Sequence, residues 1–380
     1  MREALLHAPP LKAGARFWVA AVGKAAPAMA LGARDALGGT IERTLVISRD
    51  AQSLAALAGL TTVDSMLGDH PVPGEGSLAA GRQLLDFVDA LPPHAEALFL
   101  ISGGASSLVE VPREGVTLED LVSLTRWALA EGIAIGELNA RRAALSSIKG
   151  GGLATRLRGR PARALFLSDV PRDDPRVIGS GLMGPASEGP DRVERQVLAS
   201  VDDAVAAVAA AAREYGLRVG TRAPRFAGGA MRLAARFVRR LREGRAQLLV
   251  WGGESTVELP ANPGEGGRNQ HLALAAARLI ANDERLLLLA AGTDGTDGVT
   301  ADAGALVDGT TCARLASAEL DAAHCLAAAD SARALAASGD LVHTGPTGTN
   351  VGDLLIGLKL SPVAAQRLLR RHGGPRSRVL

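Results

Sequence analysis

Cysteine is nearly absent from this 380-residue chain: there are two, Cys312 and Cys325, in no metal-ligand spacing. That argues against a disulfide scaffold and a thiolate metal centre, and it points to a reducing, cytoplasmic setting. Aromatic residues make up only 3%, too few for a platform on which bases stack. The net charge of +2 gives no reason to expect a nucleic-acid partner. No charge-free apolar run approaches the length of a membrane span, and the opening MREALLHAPPLKAGARFWVAAVGKAA lacks the layout of a signal peptide. The motifs H-E-x-x-H, G-x-S-x-G and G-x-x-x-x-G-K-[ST] are missing too, which removes the simplest support for a zinc peptidase, a serine hydrolase or a P-loop enzyme. One local excess stands out: arginines crowd between Arg213 and Arg245, in and before MRLAARFVRRLREGR. A solvated helix face and a phosphate-steering surface both fit that cluster.

What remains is a folded α/β chain. Hydrophobic residues make up 47%, with 45 glycines and 19 prolines, and the length calls for two domains. Short apolar runs recur: FWVAAV, TLVIS, ALFLIS, ALFLS, QLLVWG and RLLLLAA. Most are followed by Gly- or Asp-rich turns and then by Ala/Leu/Arg-rich stretches, the alternation expected of parallel sheets covered by helices. The stretch 191–216 reads as one helix, and a fresh strand-helix series follows it. The domain boundary is expected between 190 and 220 and is set at 210/211.

The turns hold the chemistry. Lys24 stands at a helix start, where a cation opposes the helix dipole unless an anion is bound. Ser102, Gly103, Gly104 and Ser106, in SGGASS, offer backbone N–H groups and hydroxyls for an anion nest, or form a plain strand-helix turn. Asp169 falls at a strand end. Gly179, Gly181 and Gly184 satisfy G-x-G-x-x-G, but Pro185 follows and no strand opens directly into a helix there, so a dinucleotide site is not expected. Glu254 precedes a glycine cluster and Arg268, whose guanidinium fork suits a phosphoryl or carboxylate group. AGTDGTDGVTADAGALVDG packs Asp294 and Asp297 among glycines, a loop suited to a cation, to phosphate or to tight Asx turns. Thr349 and Asn350 lie on a last glycine-rich loop.

Taken together, VGKAAPAM, GDHPVP, ISGGASSLVEVPREGVTLEDL, LNARRAALSSIKGG, LSDVPRDDPRVIGSG, WGGESTV, GEGGRNQHLALA, AAGTDGTDGVTADAGALVDG and HTGPTGTNVGDLL resemble the glycerate 2-kinase family with a C-terminal MOFRL domain, many of whose members carry the label hydroxypyruvate reductase. The resemblance runs from about residue 17 to about 360. It implies a Rossmann-like α/β/α domain over 1–210, an α/β MOFRL domain over 211–380, and an active site in the cleft between them. It implies phosphorylation of D-glycerate at the 2-hydroxyl, with ATP as co-substrate and Mg²⁺ as cofactor.

Lys24 and Arg268 match the family's proposed catalytic pair. Ser102, Gly103 and Gly104 match its SGG motif, Ser168 and Asp169 its SDV motif, Asp294 and Asp297 its acidic loop, and Thr349 and Asn350 its GTN motif. The resemblance further implies that Ser102 to Ser106, with Arg142 or Lys149, orient the glycerate carboxylate or a phosphate. Asp294 and Asp297, with Asp169 or Glu254, hold Mg²⁺. Leu182 and Met183 depart from the family's GSGPT, and the segment before the first strand is shorter than in relatives. The competing readings are an NAD(P)H-dependent hydroxypyruvate reductase and a non-catalytic sugar-acid or nucleotide-binding protein. No membrane partner is expected, and a homodimer is the base-rate expectation.

Overall fold

The computed structural model describes Leu5 and residues 14–131, 135–360 and 365–366. Two compact units emerge. One runs to Ser200 and takes in Gly348–Val351; the other begins at Val201, runs to Thr347 and resumes at Gly352.

In the first unit, β1 (Arg16–Val22), β2 (Ile41–Ser48), β3 (Val63–Leu67), β4 (Ala95–Ile101), β5 (Ala162–Leu167) and β6 (Val193–Ala199) form one parallel sheet in the order β3-β2-β1-β4-β5-β6. Its central strands read as unbroken apolar runs because both faces are covered. Val19 and Ala21 pack with Met29, Ala30 and Ala33 of the helix Ala26–Leu37. Ala20 and Val22 point the other way, into a cluster with Leu84, Phe87 and Val88 of the helix Glu75–Asp89. Each fully buried Leu or Phe here contributes about 1.5–3 kcal/mol. The result is an α/β/α sandwich.

The expected single helix over 191–216 is instead a strand followed by a helix. VERQVLA forms β6, with Glu194 and Gln196 exposed and their neighbours partly covered, and the helix begins at Val201. That two-residue alternation was hidden by the Ala-rich stretch behind it, whose helical period dominates any longer window.

The second unit holds β7 (Val219–Thr221), β8 (Phe226–Gly229), β9 (Leu248–Thr256), β10 (Leu286–Gly292), β11 (Gly304–Asp308), β12 (Leu341–Val342) and β13 (Asp353–Lys359). Its sheet runs β12-β11-β10-β13-β9-β7, and β8 also pairs with β9. Among the described residues only β7 and β8 lie parallel to β9, and the other pairings are antiparallel. The parallel arrangement expected throughout therefore holds in the first sheet and fails in the second, because an apolar run such as RLLLLAA carries no information on strand direction. The helices Ala230–Glu243 and Arg268–Ile280 bury Phe237, Leu241, Leu272 and Ala276 against Trp251, Leu288 and Leu355 on one face. On the other, Val205 and Ala212 of the helix Val201–Glu214 pack against Leu248 and Val250. Among the described residues no helix is long and apolar enough to cross a membrane.

Candidate active site

In an open parallel sheet, ligands bind beyond the carboxyl ends of the strands where the strand order reverses. Here the order reverses between β1 and β4, and the turns leaving those two strands are stitched together. Ser102 N donates to the Val22 carbonyl at 3.0 Å, Lys24 N to the Gly103 carbonyl at 2.9 Å, and Ala25 N to Ser102 Oγ at 3.0 Å. The approach depends on Gly23, which has φ 133° and faces Ser102 where a Cβ would stand. Lys24 is thereby held beside Ser102, Gly103 and Gly104. Ser106 sits half-buried in the single turn Ala105–Leu108 that follows.

Asp169, just after β5, accepts from Asn350 Nδ2 at 2.8 Å, and both groups press on the backbone of Gly103, which has no side chain to obstruct them. Thr349 precedes Asn350 and is half-buried. Ser168 is fully buried; its N–H donates to the Ala199 carbonyl at 2.9 Å and helps to tie β5 to the end of β6. The structure adds two residues that sequence reasoning left without a role. A Cβ on Gly104 would lie 3.2 Å from both the His70 ring and the Lys24 side chain. Arg49 Nη1 in turn stands 3.5 Å from His70 Nδ1. The signal for His70 was the GDHPVP motif.

Arg142 and Lys149 belong to a different arrangement. Lys149 is 1% exposed and its Nζ donates to the Val109 carbonyl at 2.8 Å. Its neighbour Glu110 is also buried and accepts from Ser146 Oγ and from Val111 N. Burial pushes the Lys149 ammonium down to about 8, with Glu110 opposing that shift and Arg142 adding to it. Burial likewise lowers Arg142. Lys149 is thus an internal brace that ties the LNARRAALSSIKGG segment to the end of SGGASSLVEV, rather than a group presented to a substrate. Glu110, its countercharge, was not singled out in the sequence.

In the second unit Arg268 opens the helix Arg268–Ile280 and is gripped from two strands. Nε donates to Asp353 Oδ2 at 2.6 Å and Nη2 to Asp353 Oδ1 at 3.1 Å, while Nη1 pairs with Glu254 of β9. Burial works against the guanidinium charge, but Asp353 and Glu254 outweigh it and hold the group above its ordinary value. Asp353 lies at the start of β13 and is almost fully buried. It lies within the motif HTGPTGTNVGDLL, which gave no sign that it would be Arg268's partner.

The acidic loop is used in two ways. Asp297 accepts from Asn269 N at 3.1 Å, Gln270 N at 2.7 Å and Asn269 Nδ2 at 3.2 Å, so both its oxygens satisfy the first turn of the Arg268 helix. Burial still pushes its carboxyl up to about 6 against those bonds. Asp294 forms an Asx turn, with Oδ1 accepting from Thr296 N at 3.0 Å. Among the described residues no three His, Cys, Asp or Glu side chains are grouped to hold a metal ion.

Residues 2–213 match the family model described as "Domain of unknown function (DUF4147)", and residues 247–353 match the MOFRL family. The chain is 37% identical to the D-glycerate 2-kinase of Thermotoga maritima over 90% of both chains. It is 31% identical to the glycerate 2-kinase of Pyrococcus horikoshii, covering 91% of this chain and 88% of that one. It is also 33% identical to a putative hydroxypyruvate reductase of Agrobacterium vitis, over 92% and 89%. The chain belongs to the glycerate 2-kinase family with a MOFRL domain. The crystal structure of the Thermotoga maritima glycerate kinase superposes with a TM-score of 0.79 at 36% identity, over 91% of this chain and 92% of that one.

Within that family the Leu182-Met183 departure is accommodated in the interior. Both side chains are fully buried in the cluster that holds Ile101 and Leu108. The preceding Gly179–Gly181 turn is buried with them, and Ser180 Oγ donates to Asn139 Oδ1 at 2.8 Å. The G-x-G-x-x-G pattern is accordingly a packed turn, not a strand-to-helix phosphate loop.

Proposed function

We propose that this protein is a D-glycerate 2-kinase, transferring the γ-phosphoryl group of ATP to the 2-hydroxyl of D-glycerate to give 2-phosphoglycerate and ADP. The observation that carries the proposal is the stitched turn of Gly23, Lys24 and Ser102–Gly104 at the switch point of the parallel sheet. It presents a cation beside a glycine-rich backbone, the chemistry a phosphate or carboxylate needs, in a chain whose kinase relatives match along nine-tenths of its length.

In the reaction the 2-hydroxyl oxygen bonds to the γ-phosphorus, the bond from that phosphorus to the bridging oxygen of ADP breaks, and the hydroxyl proton is released to solvent. Such a transfer depends on positioning and charge stabilisation more than on covalent help from the protein. Lys24 offsets negative charge on the phosphoryl group. Arg268, locked by Asp353 and Glu254, meets the same demand with a pre-oriented fork and little rotamer entropy left to lose. Ser102, Ser106 and the Gly103–Gly104 backbone orient the anionic end of a substrate, and Asn350, next to Thr349 in the chain, supports them through Asp169.

Mg²⁺ fits a reduced version of the expected ligand set. Asp297 has both oxygens committed to the first turn of the Arg268 helix, so Asp294 of the same acidic loop is the carboxylate that would serve the ion. One or two carboxylates suffice for Mg²⁺, which takes its other ligands from water and nucleotide phosphates. When bound, it neutralises charge on those phosphates.

The test is to incubate the purified protein with D-glycerate, Mg²⁺ and ATP and to identify the product by ³¹P and ¹H NMR. 2-Phosphoglycerate is expected. 3-Phosphoglycerate would keep the kinase and overturn the regiochemistry. No phosphorylated product, together with NAD(P)H consumption on hydroxypyruvate, would replace the kinase reading with the reductase one.

A further inference from the structure

The arginine cluster between Arg213 and Arg245 plays no part in the chemistry above, and it is not simply a solvated helix face. Arg236, Arg239, Arg240 and Glu243 recur at helical spacing along one flank of the helix Ala230–Glu243, beside the stripe Leu233, Phe237, Leu241 that packs into the core. Together with Arg222 and Arg245 they line a cavity of about 700 Å³ floored by Trp251 and Leu249 of β9. Five guanidiniums thus face one carboxylate. Among the described residues none of the five has an ion-pair partner, whereas Arg242 on the other flank of the same helix reaches Asp283 Oδ2 at 3.7 Å and donates to the Leu279 carbonyl.

The arrangement is built rather than loose. Arg222 lies over the Trp251 ring at 4.8 Å and Arg236 at 6.0 Å, and Phe237 meets the same indole edge-on at 4.9 Å. Nη1 of Arg222 is buried with no hydrogen-bond partner. A cost is being carried here, because like charges gathered over a half-enclosed apolar floor repel one another and one guanidinium nitrogen goes unsatisfied. Burial and the neighbouring Arg236 pull the Arg222 guanidinium below its ordinary value, the sign expected where no anion balances the cluster.

We propose that this cavity binds a compact polyvalent phosphate, an oligophosphate or a small molecule bearing two phosphoryl groups. Each guanidinium offers a planar fork to phosphate oxygens, and an excess of four positive charges is matched by several phosphate charges rather than by one carboxylate. A nucleic-acid strand fits less well: Trp251 is only 3% exposed, so no aromatic face is open for base stacking, and the positive charge is gathered in a pocket rather than drawn out along a groove. The inference does not rest on the kinase reading, since the cavity shares no residue with the Lys24 or Arg268 sites.

The test is a titration with inorganic tripolyphosphate in EDTA, followed by tryptophan fluorescence, because a bound anion draws Arg222 and Arg236 away from the Trp251 ring. Tripolyphosphate also imitates the phosphates of ATP, so three proteins are compared: wild type, Lys24→Met, and the double variant Arg236→Gln/Arg240→Gln. A saturable phase is expected in wild type and in Lys24→Met, weakened at least about tenfold in the double variant, the scale of losing charged hydrogen bonds. Removing like charges from an exposed flank should leave the fold intact, as circular dichroism would check. Arg222→Gln/Arg245→Gln carries the same expectation. No phase in wild type, a phase lost in Lys24→Met, or unchanged binding in both arginine variants would each overturn the proposal.

Discussion

Arg268 is the residue whose environment most constrains its role. Its fork is bound to Asp353, whose side chain is 2% exposed, so removing the guanidinium would strand a buried carboxylate. Arg268→Met should therefore cost about 3 kcal/mol of stability in urea unfolding. The double variant Arg268→Met/Asp353→Leu should recover most of that loss while remaining inactive. If the double variant proves less stable than Arg268→Met, the pair does more than balance a charge. Lys149 makes a second prediction at this scale. Its folded value of about 8 lies below the ordinary 10.5, so the native state binds fewer protons between those limits. A penalty present below about pH 8 should be relieved as pH rises toward 10.5, and wild type should gain up to about 3 kcal/mol relative to Lys149→Met across that window. Unfolding curves of the two proteins between pH 7 and 10.5 would measure it, and a flat difference would mean that Lys149 is solvated.

Among the elements, the turns joining β1 to β4 depend on backbone that tolerates no side chain. Gly23→Ala combines a left-handed φ of 133° with a collision against Ser102, so it must part the turn that carries Lys24 from the one that carries Gly103. We expect a loss of about 2 kcal/mol or more and at least a hundredfold lower kcat/KM, the scale of a catalytic group displaced by about 1 Å. Gly39→Ala, with no atom within 4 Å of its Cβ and no positive φ, should stay within about 0.5 kcal/mol of wild type. Equal effects of the two changes, read by thermal denaturation and initial rates, would refute the close-approach argument.

The same elements show what could be read from sequence. The strands built on continuous apolar runs, β1, β2, β4, β5, β9 and β10, stood out because burial alone writes their pattern. The two-residue β12 is too short for any period, while β6 and β13 sit beside glycine-rich or Ala-rich segments whose signals are stronger. Strand direction in the second sheet was invisible, since it is set by pairing across long sequence separations. At the site, Lys24, Ser102–Gly104 and Arg268 were legible as chemistry-bearing residues on turns. Their partners Asp353, His70 and Glu110 were not, because an acidic or imidazole side chain becomes a partner only through tertiary contact.

For the whole molecule, the proposed function is tested by asking whether Lys24 and Arg268 serve one chemical event. Lys24 belongs to the unit built on the parallel sheet and Arg268 to the unit built on the mixed one. If both stabilise charge on the same phosphoryl group, their effects on kcat/KM will not add, because a transition state already lost to one substitution has little left to lose to the other. Lys24→Met and Arg268→Met should each lower kcat/KM for D-glycerate by at least about a thousandfold, and the double variant should fall no more than about tenfold below the worse single one. Stability has to be followed alongside, since Arg268→Met also destabilises its own unit; rates are compared at a temperature where all three proteins are folded. Losses that multiply in full would mean that the two cations act at separate steps, such as nucleotide binding and phosphoryl transfer, and the shared role would be withdrawn while the kinase activity stood.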